Sequence, residues 1–222
     1  MTRLKCKLTS QYTFGGLYND RAMPRSAAKT KRHILDAAYE LFYRRGFNRV
    51  GVDEIAAASG VTKRSLYYHF KSKDELLASV LELQHELGLA RIRKYEDRYK
   101  GDPAEILAIL FAELAKWSAK SGWTGPGFTR MVMELADMPG HPARAVARRH
   151  KAEVERWYAQ VLAKAKAKSP LECARQVALL TEGAAALILI HGDRSYADTA
   201  ARAAKLLVRN IERRARSSTR AR

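Results

Sequence analysis

The stretch Gly60-Val61-Thr62-Lys63-Arg64-Ser65-Leu66-Tyr67-Tyr68-His69-Phe70-Lys71-Ser72-Lys73 decides the reading of this chain. Gly60 suits a tight turn, and Thr62 has the hydroxyl that caps a helix by accepting from a backbone amide two or three residues on. Val61, just ahead of the cap, is placed to staple onto Leu66. At 100° per residue Leu66 and Phe70 share one stripe, Arg64 and Tyr68 point almost directly away from it, and Ser65 and Tyr67 flank them. The segment predicts a short helix with two apolar anchors inside and a face of hydrogen-bond donors outside, a shape suited to a DNA groove.

Working backwards, Thr30 can cap a first helix whose Ile34, Ala38, Leu41 and Phe42 recur at three- and four-residue steps, ending at Arg45 before Gly46. Phe47 can close against Phe42 across that turn. A second short helix over 52–59 turns Ile55 inward, and Gly60 leads into the third, which is helix-turn-helix order. Working forwards, a helix from Ser72 carries Leu77, Val80, Leu81 and Leu87 to about Tyr99, long enough to link two domains. Beyond Gly101-Asp102-Pro103 the pattern predicts helices over 104–120, 126–137, 142–167, 170–190 and 196–214, with no strand between them. The run Gly183-Ala184-Ala185-Ala186 lets another helix approach closely, as in a dimer seam or a buried core helix.

Lys and Arg number 41 against 23 Asp and Glu, a formal +18 that favours a polyanionic partner, while 47% hydrophobic residues suffice for a sizeable core. Cys6 and Cys173 form neither a disulfide framework nor metal-ligand spacing, which suits a reducing cytosol. The longest apolar run, Ala184 to Ile190, is too short to span a bilayer, and the N-terminus lacks the apolar segment of a secretory signal, so no membrane partner is expected. Residues 1–27 read as a flexible basic arm and residues 215–222 as a disordered basic tail. Translation from Met23 would make the first 22 residues an upstream extension, while an arm touching DNA phosphates is the alternative. No nucleophile–base spacing, paired carboxylates or metal cluster argues for an enzyme, and no cofactor is called for.

On Ile34-Leu35-Asp36-Ala37-Ala38, Leu41-Phe42, Gly46-Phe47, Asp53-Glu54-Ile55-Ala56, Gly60-Val61-Thr62-Lys63, Leu66-Tyr67-Tyr68-His69-Phe70 and Lys73 through Leu77, the chain resembles the TetR family of bacterial transcriptional regulators. The resemblance implies an all-α homodimer. Residues 28–88 would form an N-terminal three-helix DNA-binding domain with a helix-turn-helix, and residues 89–214 a larger helical ligand-binding and dimerisation domain. It implies a double-stranded DNA operator and a small-molecule inducer as partners, a cytoplasmic location, and DNA contacts from Thr62, Lys63, Arg64, Ser65, Tyr67, Tyr68, His69 and Lys73.

Each role has a physical basis beside the resemblance. Arg64 can offer a bidentate fork to guanine, and Lys63 reaches the same groove. Tyr67 and Tyr68 have hydroxyls for phosphate and ring faces for a thymine methyl. Thr62 and Ser65 combine capping with a phosphate contact, His69 lies partway toward the core, and Lys73 is placed as a phosphate clamp. Gly51 departs from the Ser or Thr that the family commonly has at this cap, and Asp53 is assigned a structural role. In the second domain Trp117, Trp123, Phe128, Met131, Met133, Met138 and Trp157 suit either an apolar ligand cavity or ordinary core, with His141, Arg144 or His191 as polar anchors of such a cavity. A nonspecific architectural DNA-binding protein is the rival reading, separable by the ratio of operator to random-DNA affinity.

Overall fold

The computed structural model describes residues 25–98 and 102–220. Along them run α1 (Arg25–Arg45), α2 (Val52–Ser59), α3 (Lys63–His69), α4 (Lys73–Arg98), α5 (Pro103–Ser118), α6 (Gly127–Met133), α7 (Pro142–Lys164), α8 (Pro170–His191) and α9 (Ser195–Arg220). No strand occurs among the described residues. The fold is all-α.

Local chemistry sets the boundaries. Gly46, at φ +90°, ends α1, a conformation that side-chain-bearing residues avoid. Gly60 at φ +70° ends α2 in a Schellman arrangement, with the Val61 amide donating to the Ala56 carbonyl at 3.0 Å. Thr62 then caps α3 as the sequence predicts, its hydroxyl accepting from the Ser65 amide at 3.1 Å. Asp102 caps α5 through the Ala104 amide at 2.8 Å, and His141 caps α7 through the Ala143 amide at 3.1 Å, each followed by proline at the first helical position.

Three boundaries differ from the sequence reading. Thr30 is not a cap: α1 already runs from Arg25, and the Thr30 hydroxyl donates back to the Ser26 carbonyl at 2.9 Å. Ala28, buried on that added turn, contributes to holding it in place. The helix expected over 126–137 stops at Met133, because Arg144 takes the carbonyls of Leu135 and Ala136 and the chain turns toward His141. The tail expected to be disordered is helical through Arg220. The arm expected over 1–27 lies outside the described residues up to residue 24, as does the expectation about Met23, and residues 25–27 belong to α1.

Two apolar cores result. The first gathers Ile34, Phe42, Phe47, Ile55, Leu66, Phe70, Leu77 and Leu81, and also takes in Met131, Leu135, Ala143 and Ala147. The second joins Leu107 and Phe111 of α5, Trp157, Tyr158 and Val161 of α7, Val177, Ala184 and Ile188 of α8, and Ala204 and Val208 of α9. Each fully buried large side chain contributes about 1.5–3 kcal/mol, so the seating of α6 and the start of α7 in the first core ties the helix-turn-helix firmly to the rest of the chain. Although its longest unbroken apolar run is short, α8 as a whole is long and apolar enough to cross a membrane, since Thr181 and Glu182 interrupt the run without offsetting its average. It is the one helix among the described residues to meet that test, and it packs in the second core.

Candidate nucleic-acid interface

Leu66 and Phe70 are fully buried in the first core, where α3 packs on α1 and α2, which fixes the rotation of the helix about its own axis. The opposite face is open: Tyr68 is 79% exposed and Tyr67 44%, with Thr62, Lys63 and Arg64 exposed beside them. Ser65 and His69 are half-buried at its edge. Neither tyrosine hydroxyl, nor the Arg64 guanidinium, has a hydrogen-bond partner among the described residues. Their donors are therefore available, on a surface whose base is rigid.

The set is not uniform. The Lys63 ammonium sits 3.0 Å from Asp53, and that hydrogen bond and charge raise its pKa. Asp53 thereby ties the start of α2 to the start of α3. His69 meets the Tyr68 ring edge-on at 5.2 Å, and its pKa is lowered by burial and then by the Lys31 charge, so it stands neutral at pH 7. Gly51 has no hydroxyl to offer, and Glu54 closes that helix start by accepting from the Gly51 amide at 3.1 Å while pairing with Arg45. Lys73 is placed apart from the others. Its ammonium donates to the carbonyls of Phe47 at 3.0 Å and Val50 at 3.1 Å and lies 4.2 Å from the centre of the Phe47 ring. Two of its three donors are engaged within the protein, across the α1–α2 turn.

Behind the first core a cavity of about 200 Å³ opens between α1, α4, α5, α6 and α7. Trp117, Phe128 and Met131 line it, as the sequence suggests, and Pro126 and Gly127 of the glycine-rich loop form part of its wall. The polar groups differ from those expected. His141 is the buried cap of α7, Arg144 holds the end of α6, and His191 is exposed at the end of α8, so none of the three lines this cavity, although Arg144, with Met133 and Phe128, lines a second, wider cavity of about 390 Å³ between α6 and α7. Trp157 belongs to the second core, Met138 packs against the first, and Met133 is exposed. The polar lining comes instead from Gln84 and Arg91 of α4 and His150 and Lys151 of α7. The sequence contains a signal for the first pair: Leu81, Gln84, Gly88 and Arg91 are spaced as one helical face.

A polar, convex α3 on a buried two-residue anchor, joined by a long helix to a bundle with a cavity, defines a helix-turn-helix protein with a companion helical domain. Residues 34–80 match the family described as bacterial regulatory proteins, tetR family. The regulator AcrR of Shigella flexneri is 36% identical over 88 residues, and TtgR of Pseudomonas putida is 36% identical over 98 residues. These matches cover 39% and 42% of this chain and 40% and 47% of those relatives, so the chain spans under half the length of each. Whole-fold similarity extends further. A TetR-family transcriptional regulator of Streptomyces coelicolor superposes with a TM-score of 0.76 at 21% identity, over 83% of this chain and 97% of that one. A TetR-type regulator of Streptomyces avermitilis does so with a TM-score of 0.68 at 30% identity, over 79% of this chain and 97% of that one. The chain belongs to the TetR family of transcriptional regulators.

Proposed function

We propose that the chain acts in the cytoplasm as a dimeric, ligand-released repressor of transcription. The observation that carries this reading is the open face of α3, where Arg64, Tyr67 and Tyr68 stand exposed over the buried pair Leu66 and Phe70. Thr62, Lys63, Arg64, Ser65, Tyr67, Tyr68 and His69 form the surface presented to the major groove and its flanking phosphates. Arg64 reads a base edge, and the tyrosines set register. Lys63 keeps its charge on Asp53 until DNA competes for it.

A two-fold dimer would place its two α3 helices in successive major grooves, about 34–36 Å apart. The partner surface is the outward side of α8 and α9. Leu179 and Ile190 of α8 are 73% and 71% exposed, Leu206 of α9 is 57% exposed, and Gly183 faces open space on the same stripe of α8. An apolar stripe with a small residue at its middle suits a helix–helix seam, and it accounts for the apolar average of α8 without a bilayer.

A ligand in the cavity would touch α1, which packs on α3, through Tyr39, and α4, which follows α3 in the chain, through the Leu81–Arg91 face. To move the operator from mostly occupied to mostly free it must prefer the released conformation by roughly 5.5 kcal/mol. Selection of bound genomic fragments by the purified protein tests this reading. A single pseudo-palindromic site, bound at least about a thousandfold more tightly than random DNA at fixed salt, is the expected result. Equal affinity for all fragments would instead support an architectural DNA-binding protein.

A further inference from the structure

We propose that the cavity takes a small planar aromatic carboxylate, its ring against Trp117 and Phe128 and its carboxylate on the Arg91 guanidinium. The inference rests on the reading of this cavity as the effector site and adds to it the chemical class of the ligand.

Size sets the first limit. An apolar cavity of about 150 Å³ holds benzene, so about 200 Å³ admits one substituted ring or a fused pair and excludes nucleotides and peptides. The walls set the second. His150 lies flat on Phe128, with ring centres 4.0 Å apart and planes within 8°, while Tyr39 and Trp117 close other sides. Such walls favour a flat guest with a π face.

Charge sets the third limit. Along the α4 face, Gln84 and Arg91 present polar groups that have no hydrogen bond or ion pair among the described residues, and Gly88 between them leaves room for the His150 ring edge, 3.1 Å from where a Cβ would stand. Lys151 is engaged by Glu182, so Arg91 is the cation with its donors open. No Asp or Glu lines the cavity. Burial, then the charges of Lys151, His85 and Arg91, bring the His150 pKa down to about 4, with Glu182 opposing them. A cationic guest would meet the Arg91 charge with Glu182 already paired to Lys151, and a neutral one would leave the guanidinium fork unused. A carboxylate matches that fork in shape and sign.

The test uses the full chain with 2-naphthoate and its neutral isostere 2-naphthamide, with affinities from calorimetry and location from the His150 ring-proton resonances. The expected result is naphthoate binding about tenfold more tightly than the amide, with the His150 signals shifting on binding. In Arg91→Gln, an exposed change that leaves the core intact, the preference should fall below about twofold. Equal affinity for acid and amide, a preference that survives Arg91→Gln, or binding without a His150 shift would overturn the proposal. Operator affinity measured in the same samples separates the two readings. Naphthoate that binds through Arg91 but leaves operator affinity unchanged supports the ligand class and refutes the effector role.

Discussion

Glu134, just past α6, accepts the backbone amide of Asn48 at 3.0 Å, with its carboxylate directly beneath Gly46. The Asn48 side chain returns a donor to the Glu134 carbonyl at 3.3 Å. Ahead of α6 the Thr124 hydroxyl donates to the Tyr43 carbonyl at 2.7 Å and the Tyr43 hydroxyl donates to the Gly125 carbonyl at 3.1 Å, while Arg130 of the helix itself donates to the same Tyr43 carbonyl. The chain just before and just after α6 is thus fastened to α1 and the turn that follows it, while Phe128 and Met131 of the helix line the cavity. A guest that displaces Phe128 acts on the helix-turn-helix through these two fastenings as well as through α4.

Gly46 is required at this junction by its backbone, and its neighbour Glu134 could make room for a side chain only by swinging off the Asn48 amide. Its φ of +90° disfavours any other residue, and a Cβ would come within 2.6 Å of the Glu134 carboxylate. Gly46→Ala should therefore cost about 1–3 kcal/mol, seen as a fall of several degrees in the thermal midpoint. Glu134→Ala leaves the turn free of strain and should cost about 1 kcal/mol, with a weaker effect of any effector on operator binding. An unaltered midpoint in Gly46→Ala would show that the junction is looser than these bonds imply.

The exposed side chains of α3 can be removed without touching the residues that hold the helix. Arg64→Ala and Tyr68→Ala change exposed side chains and remove no hydrogen bond made within the described residues. Helicity and oligomeric state should stay constant while operator affinity falls by about 1–3 kcal/mol for Arg64→Ala, most at one base position. Undiminished affinity for the selected operator in the double variant would rule out this face as the reading surface.

Lys73 separates a phosphate clamp from an internal tie. Removing one phosphate clamp lowers the salt dependence of binding by about one ion in the slope, whereas removing an internal tie lowers stability. With two ammonium donors on the Phe47 and Val50 carbonyls, Lys73→Gln should lower the unfolding free energy by about 1–2 kcal/mol and leave the salt slope as it was. A reduced slope at unchanged stability would restore the role of phosphate clamp.

The fold was readable where one residue makes one local decision. Thr62 can cap only the helix that begins beside it, and the Leu66–Phe70 stripe can face only one way, so α3 and its open surface are set by a dozen residues. Thr30 misled because threonine in a first turn and threonine in a second turn look alike, and the Ala28 packing that extends α1 is tertiary. Lys73 shows the same limit of local reading: nothing local tells that the Phe47 and Val50 carbonyls will lie above it. The cavity was half legible. Its aromatic wall could be named, but Gln84, Arg91 and His150 meet only once α4 and α7 cross, an arrangement that no single helix encodes.

The α8–α9 stripe predicts assembly. Leu179→Glu and Ile190→Glu place charges at exposed positions of the subunit, where they cost little folding free energy, yet at the centre of the seam proposed for the dimer. Sedimentation should show monomers with unchanged helicity, and operator affinity should fall by at least about a hundredfold because both half-sites can no longer be held together. A dimer that persists in both variants would move the seam elsewhere.

Acid sensitivity arises from the pair at the α4–α7 crossing. The His85 and His150 Nδ1 atoms lie 3.2 Å apart, and burial, then the charges of Lys151, His85 and Arg91, hold the His150 pKa near 4 rather than 6.5. Between these values the unfolded chain takes up a proton that the folded chain refuses, so this site withdraws stability as pH falls from 6.5 toward 4 and withdraws no more below that. By pH 4.5 the withdrawal should reach about 2 kcal/mol. His150→Gln cannot titrate and keeps an amide for His85. It should be less stable than the parent at pH 7.5, through loss of the stacking on Phe128, yet its stability should fall by about 2 kcal/mol less than the parent's between pH 7.5 and 4.5. Carboxylates that titrate in both proteins cancel in the comparison. Urea unfolding at the two pH values measures the difference, and parallel losses in parent and variant would show that His150 takes up its proton in the folded chain as easily as in the unfolded one.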